Sequence, residues 1–294
     1  MKFGSVAVAI ASSLLVSAAP TPVDVEQRAD SSVTPITAAT ISSYASYVNF
    51  AAATYCSGTA NWSCTACKRV PGFVPYATGG DGDGGMSVGG HQAPRSSLRM
   101  RERTQLSYAN ALFGPLDSTL FPGVPSNVQV HSGFRNAQAS TASAVLAAVK
   151  KVIADKGATK VTTVGHSLGG AIAALDALFL KKNLPSTISI KAVTYGQPRV
   201  GNQDFANLID TEIADFSRIT NLEDDIPIVP GRGLGYHHFS GEKHIKSTGV
   251  WNACAGQDNT STDCSTGAVE NIFVGNVVDH LGPYEGVWIG TIYC

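Results

Sequence analysis

The stretch Val161-Thr-Thr-Val-Gly-His-Ser-Leu-Gly-Gly-Ala-Ile-Ala-Ala-Leu175 joins a β-branched run to an alanine- and leucine-rich one through Gly165-His166-Ser167-Leu168-Gly169. The first run reads as a strand and the second as a helix. A serine at such a junction is pushed out of a sharp strand-to-helix turn. Small residues two positions to either side let the flanking backbones approach each other. A bare G-x-S-x-G is a weak signal. The strand before it and the helix after it make Ser167 a candidate nucleophile rather than an idle turn serine.

Outward from this elbow the pattern alternates. Helical spacing runs from Ile41 to about Tyr55 and from Asn136 to Lys156, where Gly157 ends it, and again from Leu168 to Lys182. Strand patterns cover Ser126 to Val130, Lys160 to Val164, Ile188 to Tyr195 and Phe216 to Thr220. Strands alternating with helices predict an α/β domain around a largely parallel central sheet flanked by helices. No repeat or linker divides it, so residues 36–294 are expected to form a single domain.

At 294 residues and 44% apolar content the chain is long enough to bury one large core. A formal net charge of −1 leaves no electrostatic footprint for nucleic acid. Lys2 followed by the apolar run Val6 to Val16, with Val16-Ser17-Ala18 as a small-residue cleavage site, predicts a signal peptide over 1–18 and hence a secreted, extracellular protein. No segment is long and apolar enough to suggest a transmembrane span. Residues 19–35, rich in Pro, Ser and Thr, read as a pro-segment or disordered leader.

Six cysteines in an exported chain predict disulfides: Cys56, Cys64, Cys67, Cys254, Cys264 and Cys294. Cys64-Thr-Ala-Cys67 has no second C-x-x-C, which disfavours a zinc or redox reading; no metal is expected. Asn61-Trp-Ser63 and Asn259-Thr-Ser261 are glycosylation acceptors or plain surface turns.

A serine hydroxyl needs a histidine base, and that histidine needs a carboxylate to hold its tautomer. In elbow enzymes the chain order is serine, acid, histidine. His91, His131 and His166 precede Ser167 and fall out of that order. His237, His238, His244 and His280 remain.

Gly165-His-Ser-Leu-Gly-Gly-Ala171, Thr194-Tyr-Gly-Gln-Pro-Arg-Val-Gly-Asn202, His131-Ser-Gly-Phe134 and the block Asp224, Pro227, Pro230, Gly235-Tyr-His-His238 together resemble the fungal secreted class 3 triacylglycerol lipases. The resemblance implies an α/β-hydrolase-type fold and hydrolysis of acylglycerol esters at a lipid–water interface. It implies a mobile lid and no cofactor; a monomer is expected. It places the acid in an N-x-x-D-x-x-P-x-x-P pattern filled by Asn221, Asp224, Pro227 and Pro230, with Asp225 the alternative. The base falls in Asp279-His280-Leu281, leaving His237 and His238 as loop-packing or site-edge residues. Leu168 would give one oxyanion-hole N–H. By the family's arrangement Cys56 pairs with Cys294, Cys64 with Cys67, and Cys254 with Cys264.

The pattern departs from the family between Gly79 and Phe113. A family strand is missing from the sequence signal there, and Gly79-Gly-Asp-Gly-Asp-Gly-Gly85 precedes a basic Arg99-Met-Arg-Glu-Arg103, which reads as a solvated loop or a lipid-facing lid. If Gly90-His-Gln-Ala-Pro94 is the remnant of the oxyanion loop, Pro94 stands where the family has a Ser or Thr, and proline offers no N–H. Two other readings follow: a feruloyl-esterase-like hydrolase, and a catalytically impaired lipid-binding relative.

Overall fold

A computed structural model of the chain describes residues 32–79, 86–91, 96–100 and 112–294. The described chain opens with strand β1 (Val33–Pro35) and three short helices, α1 (Ala38–Ser42), α2 (Ala45–Ala53) and α3 (Thr65–Lys68). Strands β2 (Phe73–Gly79), β3 (Met86–His91) and β4 (Ser96–Met100) follow, then β5 (Phe113–Pro115), β6 (Gln129–His131) and the long helix α4 (Ser132–Lys156). The central alternation is β7 (Lys160–His166), α5 (Leu168–Asn183), β8 (Ser189–Tyr195), α6 (Gln203–Glu212) and β9 (Asp215–Asn221). It passes into β10 (Glu242–Ser247), β11 (Val250–Cys254) and the short helices α7 (Ser265–Ala268) and α8 (Val277–Leu281).

Nine of the described strands form one sheet in the order β1-β11-β10-β9-β8-β7-β4-β3-β2. Strands β4, β7, β8, β9 and β10 are parallel, and antiparallel pairs extend the sheet at both sides. Side chains alternate between the faces. Val161, Ala192 and Phe216 enter the core shared with Phe134, Val145, Leu175 and Phe205, whereas Val164, Val193 and Ile219 enter the one shared with Val48, Phe50 and Trp251. Burial on both faces is why these strands read as β-branched runs rather than as polar–apolar alternation. Helix α5 is buried from Leu168 through Leu180, so it crosses the centre of the molecule and holds its N-terminal residue rigidly.

Several sequence expectations need correction. The helix expected over Ile41–Tyr55 is two helices, broken where the Ser43 hydroxyl bonds the Thr40 carbonyl, a local bond that competes with helix continuation. The strand expected at Ser126–Val130 is Gln129–His131, and it pairs with β5 outside the main sheet. Residues 33–35 belong to the sheet rather than to a leader, because β1 is an exposed edge strand held by backbone pairing to β11 and needs no apolar signature. The strand thought to be missing between Gly79 and Phe113 is present: β3 pairs with β2 and β4, and β4 joins β7 in parallel. Glycine there obscured the pattern for a packing reason. A Cβ on Gly89 would come within 2.3 Å of the Phe73 ring. The calls on residues 1–31 lie outside the described residues.

Candidate active site

Ser167 sits between β7 and α5 with φ 59° and ψ −133°, a conformation that non-glycine residues adopt at a cost of about 1–3 kcal/mol. A Cβ on Gly165 would lie 2.0 Å from the Gly169 carbonyl oxygen, so the turn is too tight for any side chain there. The Ser167 N–H donates to the Tyr195 carbonyl at 2.9 Å, tying the strained residue to the neighbouring strand. Leu168 is the first residue of α5, where a backbone N–H has no intrahelical acceptor and lies at the positive end of the helix dipole.

Ser167 Oγ is 2.8 Å from His280 Nε2, and His280 Nδ1 is 2.9 and 3.1 Å from the two oxygens of Asp224. All three side chains are buried. Gly196, at φ +52°, makes room for them: a Cβ there would lie 2.7 Å from His280 Nδ1 and 2.9 Å from Asp224 Oδ2. The Ile226 N–H also donates to Asp224, at 2.9 Å. Asp225 points elsewhere, its Oδ1 buried without a partner among the described residues. Burial, and then the charge of Asp224, raise its carboxyl above the usual range.

The main chain of His280 is held as firmly as its ring. Its carbonyl accepts from His166 Nε2 at 2.7 Å and from the Tyr284 hydroxyl at 3.0 Å. Because Nε2 of His166 carries the proton given to that carbonyl, its Nδ1 accepts, and the Tyr55 hydroxyl supplies the donor at 2.7 Å. Burial, with the nearby His280 adding to it, holds His166 well below the usual imidazole range, which keeps it in this neutral tautomer.

The loop that carries Asp224 is braced from below. Arg199 is buried, pairs with Asp258 at 2.8 Å, and donates to the carbonyls of Ile228 and Pro230. Burial pushes Asp258 up, but Arg199 and His238 outweigh it and hold the carboxyl down at about 2. The His238 N–H bonds Asp258, and its ring Nε2 donates to the Pro227 carbonyl at 2.7 Å. His237 lies 3.8 Å from Asp258. Both histidines therefore pack the loop, away from Ser167. His131 caps α4, accepting from the Gly133 N–H and stacking on Phe134.

Other candidates fall as follows. Disulfides join Cys56 to Cys294, Cys64 to Cys67 and Cys254 to Cys264. Asn61 is exposed, as a glycan requires. Asn259 is not: its side chain is 1% exposed and its amide donates to the carbonyls of Ala255 and Ser32, so the glycosylation expectation there is corrected. Pro94, Gln92 and Ala93 lie outside the described residues, as do residues 101–111 of the expected lid. Among the described residues no group of three or more His, Cys, Asp or Glu is placed to hold a metal, and no helix is long and apolar enough to cross a membrane. Sequence reasoning missed Gly196, Arg199, Tyr55, Tyr284 and Asp258. The first two stood inside the Thr194–Asn202 motif, whereas the others carry no local pattern.

The family model described as Lipase (class 3) matches residues 101–234. A secreted mono- and diacylglycerol lipase of Malassezia globosa is 33% identical over 171 residues, which are 57% of this chain and 54% of that one. A second from the same organism is 36% identical over 169 residues, 56% of this chain and 54% of that one. The chain thus matches about half the length of these curated relatives. Among solved structures, lipase II from Rhizopus niveus superposes with a TM-score of 0.76 at 27% identity, covering 88% of this chain and 99% of that one. A triacylglycerol lipase described as having a serine protease triad for its catalytic centre gives 0.76 at 26% identity with the same coverages.

Proposed function

We propose that this chain is a class 3 lipase with the α/β-hydrolase fold, a secreted hydrolase of acylglycerol esters. The observation that carries this reading is the unbroken line of contacts from Ser167 Oγ through His280 to both oxygens of Asp224. Ser167 attacks the ester carbonyl as its proton passes to His280 Nε2. The imidazolium that forms is stabilised by Asp224, and it returns the proton to the departing alcohol. Water then attacks the acyl-enzyme by the same proton path, releasing the fatty acid. The Leu168 N–H is one donor to the tetrahedral oxyanion.

Mono- and diacylglycerols are the favoured substrates, on the strength of what the Malassezia globosa relatives are named for. Residues 1–18 act as signal peptide and the residues that follow it as a pro-segment, and the remainder works as a monomer with no nucleic-acid partner.

The test is hydrolysis of a soluble short-chain p-nitrophenyl ester and of emulsified mono-, di- and triolein by wild type and Ser167→Ala. Wild type is expected to hydrolyse the soluble ester and mono- or diolein. Ser167→Ala should lose about 10⁴-fold or more in turnover, with its thermal midpoint nearly unchanged. A wild-type chain inert on every ester would leave the reading of an impaired lipid-binding relative instead, and a variant retaining a tenth of the activity would displace Ser167 as nucleophile.

A further inference from the structure

Three lysines and one carboxylate meet on the sheet face that carries Tyr44, where β7 begins with Lys160 and so at the end of that strand remote from Ser167. Asp215, the first residue of β9, accepts from Lys160 at 3.2 Å and from Lys191 at 2.7 Å, so its charge is already shared. The third lysine, Lys243 on β10, makes no ion pair among the described residues. Its Nζ donates to Ser217 Oγ at 3.1 Å and stands 5.7 Å from the centre of the Tyr44 ring, as Lys191 Nζ stands 5.7 Å from that of Tyr47. The two rings are neighbours, 6.4 Å apart. This corner is rich in donors and poor in acceptors. The Lys243 ammonium has three N–H groups, and one hydroxyl oxygen receives them. Ser217 Oγ and the Tyr44 hydroxyl lie 3.0 Å apart, so one of their two O–H protons fills that contact and the other has no acceptor among the described residues. Both residues are buried, where a donor ordinarily finds a partner.

Lys243 itself is only partly buried, so a small molecule can reach its amine. Burial, and then the charge of Lys191, push the ammonium down to about 8; Arg218 on β9 pushes the same way and Asp215 pulls against them. Across the strand on β11 its partner is the uncharged Ala253. Near that pH a large share of Lys243 is a neutral amine with an electron pair to give. An anionic group on the nitrogen would supply the missing acceptors and turn the repulsion between Lys243 and Lys191 into attraction. We propose that Lys243 takes up carbon dioxide as a carbamate, held by the Lys191 ammonium and by the Ser217–Tyr44 hydroxyl pair. The amine electron pair forms the N–C bond, one C=O π pair of carbon dioxide moves onto its oxygen, and the proton that the nitrogen sheds goes to water. The site stands apart from Ser167 and does not depend on the ester-hydrolase reading.

The experiment equilibrates wild type, Lys243→Arg and Lys191→Gln with carbon-13 bicarbonate at about pH 8, reads carbamate by NMR, and traps it as the ethyl ester with triethyloxonium for peptide mapping. Thermal midpoints in bicarbonate and in chloride of equal ionic strength are measured alongside. Wild type should show a carbamate resonance, and the trapped ester should map to Lys243 ahead of every other lysine. Lys243→Arg keeps a cation but has no amine that can add to carbon dioxide, so the resonance and the bicarbonate-dependent rise in midpoint should both be lost. Lys191→Gln should lower the carbamate fraction by about fivefold, the effect of removing one pairing charge. A wild type without the resonance overturns the inference, as does a trapped ester found on other lysines and not on Lys243. A midpoint that rises equally in bicarbonate for wild type and Lys243→Arg shows ordinary anion binding and overturns it too. Should Lys243→Arg fail to fold, the mapping on wild type and the comparison with Lys191→Gln decide, and a carbamate fraction unchanged in Lys191→Gln counts against the inference.

Discussion

Asp224 and Asp176 are equally hidden, 1% and 0% exposed, yet their surroundings treat them in opposite ways. Asp224 has donors at both oxygens, the imidazole of His280 and the Ile226 N–H. Asp176, on the middle of α5, receives one N–H from Gln138 at 2.9 Å, and its other oxygen has no partner among the described residues. Burial pushes its carboxyl up to about 7, against only the pull of that amide. A third buried carboxylate, Asp258, faces a guanidinium and is held at about 2. The partner, not the depth, decides what a buried acid becomes. Around Ser167 the donors converge on the Asp224 carboxylate that holds His280, and between α4 and α5 the chain leaves an acid that is most at ease with its proton.

The contrast should be widest in the rates. Asp224→Asn is expected to lower kcat/KM on a soluble ester by about 10⁴-fold with little change in melting, since the carboxamide no longer enforces the productive imidazole tautomer. Asp176→Asn should leave that rate unchanged. If Asp225→Asn proved the crippling substitution, the pairing of His280 would be misassigned.

Next comes the Arg199–Asp258 brace. Arg199→Ala strands a buried carboxylate and should destabilise the fold by about 3–5 kcal/mol in urea unfolding. A loss no larger than that of an exposed ion pair would mean that Asp258 is rescued by other donors.

The third test concerns pH. The folded-state pKa of Asp176 lies above the carboxylate's unfolded value, so the native state binds the extra proton, and this residue's contribution to stability is fullest at low pH. It should fall as pH rises through the window from about 4 to about 7 and level off beyond, by up to about 4 kcal/mol in all. Asp176→Asn should remove this slope and be more stable than wild type at pH 8. Parallel stability curves for the two proteins would show that Asp176 ionises in the native state without penalty.

What was legible in the sequence follows the same division. The β7–α5 elbow could be read because its signal is local: β-branched residues, small residues at fixed offsets, then a helix former run. The buried parallel strands β8 and β9 were legible for the same reason. Strands β2 to β4 were not, because glycine-rich and serine-rich segments pair through backbone groups, and their apolar contacts depend on distant partners such as Phe73. Asp224 and His280 could be named only through motif order, since no local pattern ties residues 56 positions apart. The supports of His280 could not be named at all. Tyr284 bonds its carbonyl from 4 residues downstream, Tyr55 acts on it only through His166, which stands 111 residues after Tyr55, and neither tyrosine carries a local signal that it holds a histidine.

The separation between Ser167 and His280 has a further consequence, for the order of events as the protein is made. The elbow is complete once β7 and α5 have formed beside β8, but its proposed base, His280, stands 113 residues downstream. Until that later segment docks, with its carbonyl on His166, the growing polypeptide carries a serine but no means of deprotonating it. On the hydrolase reading, competence waits until residue 280 has been made and docked, and a single proteolytic cut ahead of α8 would not by itself release the base, because the Cys56–Cys294 disulfide keeps the fragment tied to the end of the first helical segment.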